Sequence, residues 1–340
     1  MAFKMAETHP TKALARAKSA QERVQAFLQL FGGTENVLIL INPDPDAIAS
    51  ALAVRRLLWK HAARAVIAAI RQIQRLENQA MTELLKIPMV QIDKVSPGDF
   101  SHKVLVDAQP NHSEIFAQFS YDAIIDHHPE IQQWDAPYVD IRSEYGATAT
   151  ILIEYLRGAK IKPSMNLATA LLYAIKTDTA NFERDATEED VKQFRYVFHY
   201  ANINLLRKIE RSELRIGELR YFQTALQKRI IAKKAIYAHV GTVPSPDICV
   251  QIADFFMQIY GMGWSFVSGV YEDRLIIIIR NDGYRKDAGK LSSQAFGYIG
   301  SAGGHRGAAR AEIPLTSLLD EGIQAHDSDL ESFVRNRLNL

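Results

Sequence analysis

Val37–Ile41 is an uninterrupted apolar run of five residues, with Gly32-Gly33 ahead of it and Asn42-Pro43-Asp44-Pro45-Asp46 behind. A run so short, bounded by turn residues on both sides, predicts a strand buried on both faces, as in a parallel sheet. Similar segments follow at Ala65–Ile70, Val90–Ile92, Val104–Asp107 and Ala123–Asp126. Between or after them come stretches with helical composition: Ala47–Lys60, Glu77–Lys86, Thr148–Arg157, Leu167–Ile175 and Glu188–Tyr200. Strand and helix in alternation predict an α/β fold with an open, mainly parallel sheet flanked by helices, in which ligands collect at the carboxyl ends of the strands.

The texture changes further on. Ile203–Lys234 is charged throughout, without proline and with Gly217 as its only glycine, and predicts a helical connector. Beyond it, Ala235–Val240, Trp264–Tyr271 and Leu275–Asn281 predict strands, the last two joined at Glu272-Asp273 as a hairpin. A helix near Lys290–Phe296 and a glycine-rich turn over Gly300–His305 complete a smaller α+β domain. The expected organisation is an N-terminal helical extension (1–34), a first domain (35–202), a helical connector (203–232), a second domain (233–320) and a C-terminal tail (321–340), with an active site in the cleft between the domains.

Composition narrows the partners. Among 340 residues, 40 basic side chains face 39 acidic ones, giving a net charge of +1. A long duplex or an anionic membrane calls for a larger basic excess, so an anionic ligand must be met by local charge. Cys249 is the single cysteine, which excludes an internal disulfide framework and fits a reducing compartment. Residues 1–30 lack the apolar core of a signal peptide, and no apolar run approaches the ~20 residues that span a bilayer. A cytoplasmic location is the expectation.

Chemistry-bearing residues concentrate at element ends. Asp44 and Asp46 follow the first strand, Asp107 ends Val104-Leu105-Val106, Asp126-His127-His128 ends Ile124-Ile125, and Asp178-Thr179 ends the apolar segment Leu171–Ile175. Alone, the Asp44/Asp46 pair and Asp107 read more often as turn, cap or loop residues and Asp178 as a helix-end cap, whereas adjacent histidines after a buried strand, with an acid before them, point to a ligand set. Together, in one α/β domain, they predict a shared metal site. Carboxylate and imidazole without thiolate favour manganese, magnesium or iron over structural zinc.

With those residues in view, the chain resembles the DHH family of phosphoesterases, in the subgroup of nanoRNases, phosphoadenosine phosphate phosphatases and cyclic-dinucleotide phosphodiesterases. Asn42-Pro43-Asp44-Pro45-Asp46-Ala47 with Ser50 resembles the first motif, Asp107 the second, Asp126-His127-His128 the third, and Asp178-Thr179 with Phe182 the fourth. Gly303-Gly304-His305 resembles the GGH signature of the associated C-terminal domain. The resemblance implies metal ligands Asp44, Asp46, Asp107, His127 and Asp178, with Asp107 bridging two ions. Asp107 and Asp178 then serve catalysis with His128, which faces the scissile phosphate. It also implies substrate binding by Arg280, Gly303, Gly304 and His305, with Arg306 as a further candidate. The implied cofactor is Mn2+ at two sites, with Mg2+ as an alternative ion. The implied reaction is hydrolysis, by metal-activated water, of a small nucleotide or a short single-stranded oligonucleotide. No long duplex and no membrane is expected as a partner, and a homodimer is an allowed assembly.

Two positions depart from the family pattern. The histidine expected four residues before Asp44 is Leu40, and Ala49 replaces a glycine before Ser50. The first metal is therefore expected to be weakly held. Alternatives are a cyclic-dinucleotide phosphodiesterase, a phosphoadenosine phosphate phosphatase and a catalytically weakened nucleotide-binding protein. A single-strand exonuclease of the RecJ type, tracking a strand with the cations of 203–234, is a further one; Glu210, Glu213 and Glu218 among those cations favour a solvated helix face instead.

Overall fold

A computed structural model describes residues 19–183, 186–212, 214–283 and 286–339. They form two compact units, dividing between residues 213 and 214. The predicted α/β class holds, with a parallel sheet in the first unit and a mixed sheet in the second.

In the first unit, β1 (Asn36–Ile41), β2 (Arg64–Ala69), β3 (Val90–Gln91), β4 (His102–Val106), β5 (Ala123–Asp126) and β6 (Tyr138–Ile141) form a sheet in the order β3-β2-β1-β4-β5-β6. Every neighbouring pair is parallel. β1 explains its own apolar run. Val37, Ile39 and Ile41 enter one core, while Leu38 and Leu40 enter another with Leu105, Ile124 and Tyr121. The first core is built with helices: α1 (Ala20–Leu28), α2 (Pro45–Leu57), α3 (Leu76–Leu84), α4 (Thr148–Gly158), α5 (Met165–Asp178), α6 (Glu188–Phe198) and α7 (Ile203–Glu210) each supply residues to it. The opposite face is covered by irregular chain and short 3-10 turns carrying Phe100, Phe116 and Trp134. The chain winds outward from β1 through β2 and β3, then returns to β4 on the other side. The crevice between the ends of β1 and β4 is thus the switch point at which open α/β sheets place ligands.

In the second unit, α8 (Leu219–Lys228), β7 (Ile230–Ala232), β8 (Ala235–Thr242), α9 (Asp247–Met257), β9 (Trp264–Tyr271), β10 (Arg274–Asn281), α10 (Ala288–Phe296), β11 (Ser301–Gly304), β12 (Ala308–Pro314), α11 (Leu315–Asp320) and α12 (Asp327–Leu338) follow in order. The sheet runs β11-β12-β10-β9-β8-β7, and β8 and β9 are its one parallel pair, joined by α9. The β9–β10 hairpin turns at Glu272, whose φ is 53°. The expected C-terminal tail contains α12, which buries Leu330, Phe333 and Val334 in this unit's core.

Two expectations are corrected. The segment expected as one helical connector is α7, a 3-10 turn at Ile216–Glu218, α8 and strand β7. Its apolar residues belong to different cores: Leu206 and Ile209 pack in the first unit, Tyr221 and Ala225 in the second. One straight helix cannot turn both faces to separate cores. The glycine-rich segment expected as a turn is the edge strand β11, paired with β12 from Ser301↔Glu312 to Gly304↔Ala309. Two glycines here, Gly304 of the strand and Gly289 of α10, answer a close approach. A Cβ on Gly304 would lie 2.4 Å from the Ala308 carbonyl oxygen, and one on Gly289 would lie 2.4 Å from that of Gly304. Of the expected N-terminal extension, residues 1–18 lie outside the described residues; α1 follows them, capped by Ser19.

Candidate metal centre

Each predicted ligand of the first unit sits where a strand or helix stops. Pro45 starts α2, and Asp44 caps it by accepting from the Ala47 N–H at 2.9 Å. Asp46, fully buried, lies in the first turn of α2 and meets the start of α4 across the crevice. Its carboxylate accepts from the N–H groups of Thr148 at 2.6 Å and Ala149 at 2.8 Å. A helix N-terminus favours an anion at that place. Asp107 follows β4 in the left-handed region, at φ 58°, which Asp tolerates better than most residues. Its N–H continues the sheet to the Ile125 carbonyl at 2.9 Å, and its carboxylate accepts from the Thr148 hydroxyl at 2.8 Å. Asp178 closes α5.

His127 is the hub. Its Nδ1 donates to the Tyr145 carbonyl at 3.1 Å, so in the neutral ring, the form that binds a metal, the lone pair is on Nε2. Nε2 lies 3.2 Å from Asp178, 3.7 Å from Asp107 and 4.0 Å from Asp46, yet is buried with no aligned hydrogen-bond partner. A buried imidazole nitrogen facing three carboxylates without a hydrogen bond is what a divalent cation fills. The electrostatics agree. Burial, then the charge of Asp178, pushes Asp46 up to about 7. Burial and the neighbouring Asp46, Asp44 and Asp178 raise Asp107 well above the carboxylate range, and burial raises Asp44. Burial would lower His127, but proximity to Asp178 and Asp46 outweighs it and holds the ring at about 9. The crevice is short of positive charge.

Beside this cluster, Asp126 has a different task. Burial opposes its ionisation, but bonds from His128 Nδ1 and Gln109 Nε2, both 2.8 Å, bring it below the usual range. The bond to Asp126 raises His128 in turn and leaves Nε2 of this half-exposed ring clear of that carboxylate. Among the described residues, three groups bring potential ligand atoms within 4.8 Å of one another: Asp46, His127 and Asp178; Asp107, His127 and His128; His112, Asp126 and His128. Asp44 is in none of the three. Leu40, where the family pattern has histidine, is fully buried among apolar side chains.

The residues expected to bind substrate cluster at one end of the second sheet. Arg280 pairs in register with Ala308, whose carbonyl accepts from the His305 N–H at 2.8 Å. The carbonyls of Arg306 and His305 accept from the N–H groups of Ala288 and Gly289 at 2.9 and 3.0 Å, so the β11–β12 turn is clamped to the start of α10. The His305 and Arg306 side chains are exposed, and Arg280 pairs with Asp254 at 2.6 Å.

Sequence reasoning missed Gln109, Thr148 and Tyr145. Gln109 is buried, accepts from the Trp134 indole at 3.1 Å and holds Asp126. Thr148 reaches both Asp46 and Asp107. Tyr145 acts through its carbonyl, which no side-chain pattern reveals.

Residues 36–175, which carry the first three ligand clusters, match the model of the DHH family, N-terminal domain. The first unit thus carries a DHH family N-terminal domain. An uncharacterized protein of Methanocaldococcus jannaschii is 35% identical over 280 residues, covering 82% of this chain and 58% of its own length. The chain thus spans little more than half of that curated relative. The fold is similar to the crystal structure of an exopolyphosphatase-related protein from Bacteroides fragilis, with a TM-score of 0.63, 14% identity, and coverage of 94% of this chain and 99% of that one. Among the described residues no helix is long and apolar enough to cross a membrane.

Proposed function

We propose that this chain is a metal-dependent phosphoester hydrolase acting on short oligoribonucleotides or small nucleotides. The observation that carries the proposal is His127 Nε2, buried without a hydrogen bond and facing Asp46, Asp107 and Asp178. Mn2+, or alternatively Mg2+, bound there lowers the pKa of water and offsets the charge that develops on a transferring phosphoryl group. The chain's own residues do the rest. Thr148 and the α4 N-terminus fix Asp107 and Asp46, Tyr145 fixes the His127 tautomer, and Asp126 orients His128 and favours its protonated form, suited to meet a phosphate oxygen. Arg280, Gly303, Gly304, His305 and Arg306 are proposed to bind substrate. The near-zero net charge favours a small ligand over a long strand.

A second reading has its own support. Leu40 puts a methyl-rich side chain where the family pattern has an imidazole, and Asp44 is engaged in capping α2. Both favour a nucleotide-binding protein with weakened turnover. A panel of dinucleotides, phosphoadenosine phosphate and cyclic dinucleotides with Mn2+ separates the two. Hydrolysis of at least one, lost in Asp107→Ala, is the expected result. Binding without turnover in every case moves the assignment to the second reading.

A further inference from the structure

α2 and α5 pack side by side, running in opposite directions. Asp44 and Asp46 stand at the start of α2 and Asp178 at the end of α5. At the other ends of the same two helices lies a separate cavity of 310 Å3. α5 has 14 residues, so the cavity is about 20 Å from the metal centre.

Three features of its wall point to one kind of ligand. First, Arg55, Arg56 and Lys86 line it, and no carboxylate does. Arg55 spends its Nε on the Ala65 carbonyl at 3.2 Å, and neither Arg56 nor Lys86 has an ion pair among the described residues. Second, Ser164 and Asn166 at the start of α5 stand in the wall beside apolar Leu85, Pro88 and Leu167, adding the positive end of a long helix to the three cations. Third, Trp59 stands at the rim with 72% of its surface exposed. Leu52, Arg55, Arg56 and Trp59 follow one another at helical spacing, so the face that anchors in the first core at Leu52 presents two guanidinium groups and then an open indole. Cations without a counter-ion attract an anion, and an unburied aromatic plane beside them suits a flat ring. The volume matches one small molecule and not a strand.

We propose that this cavity binds a nucleoside monophosphate, its phosphate on Arg55, Arg56 and Lys86 and its base on Trp59. The site is independent of the metal centre and of the reaction assigned to it.

Adenosine 5′-monophosphate is the probe, titrated into the full-length protein with Mn2+ while tryptophan fluorescence is followed, and in parallel by equilibrium dialysis. Saturable quenching is expected, and most of it is lost in Trp59→Phe, Trp134 near the metal centre accounting for any remainder. Trp59→Ala and Arg56→Glu each weaken binding by about tenfold or more, while Arg56→Lys retains it. Inorganic phosphate binds about tenfold more weakly than the nucleotide for want of the stacked base. Arg56 and Trp59 are exposed, so these variants fold, which circular dichroism verifies. Quenching left unchanged in Trp59→Phe overturns the proposal, as does wild-type affinity in Arg56→Glu. Equal affinity for phosphate and nucleotide overturns it too.

Discussion

At the residue scale, the candidate centre depends on a few side chains that each do one thing. Removing the Asp107 carboxylate takes away several kcal/mol of cation-borne charge stabilisation, so Asp107→Ala is expected to lower hydrolysis by about three orders of magnitude, read as kcat/KM with Mn2+. Thr148→Val leaves every proposed ligand in place but frees Asp107 to rotate. Cation affinity should fall by roughly 10–100-fold, measured by Mn2+ titration. Leu40→His should tighten the weaker of two cation sites, and two tightly held ions in the unaltered chain would refute the weak-site idea. The titration of the cluster has a defined sign. Asp46 and His127 both bind protons more readily folded than unfolded, at about 7 and about 9. Their stabilising contribution is therefore present at low pH and is lost as pH rises through those values. In EDTA, the midpoint of thermal unfolding should fall from pH 6 to pH 9, and Mn2+ should restore most at the upper end. A midpoint that rises over that range would mean the carboxylates are not crowded as described.

At the element scale, strand ends carried most of the legible information. The apolar run before Asp44, and those before Asp107 and Asp126, announced buried parallel strands because a two-sided core leaves no room for alternation. The clusters that ended them were visible for the same reason: polar residues resume where the core stops. What stayed hidden works across elements. Gln109 and Thr148 look like ordinary polar residues until β5 and α4 are placed beside them. The break between α7 and α8 was unreadable because the segment's apolar residues serve two cores, and a charged, proline-free stretch has no local mark for that division. Close helix contacts offer a further check. A Cβ at Gly158 would lie 2.7 Å from the Ala20 carbonyl oxygen, where α4 meets α1. Gly158→Ala is expected to cost about 1–3 kcal/mol of stability, seen in urea unfolding, by displacing α1.

At the scale of the whole molecule, the two units have separate cores, and the proposed cation ligands belong to one of them. Calorimetry should resolve two transitions, of which Mn2+ raises the one that belongs to the first unit. At about 100 times the dissociation constant, the gain is ~2.7 kcal/mol, or a few degrees. The winding of the first sheet has a kinetic corollary. Its ligands arrive from three strand ends and, last, from the close of α5, so no fragment short of Asp178 holds the full set. A cation therefore has nothing complete to grip until the unit has nearly finished forming. Mn2+ should leave the refolding rate almost unchanged and act by slowing escape from the native state, as expected for contacts that form after the barrier.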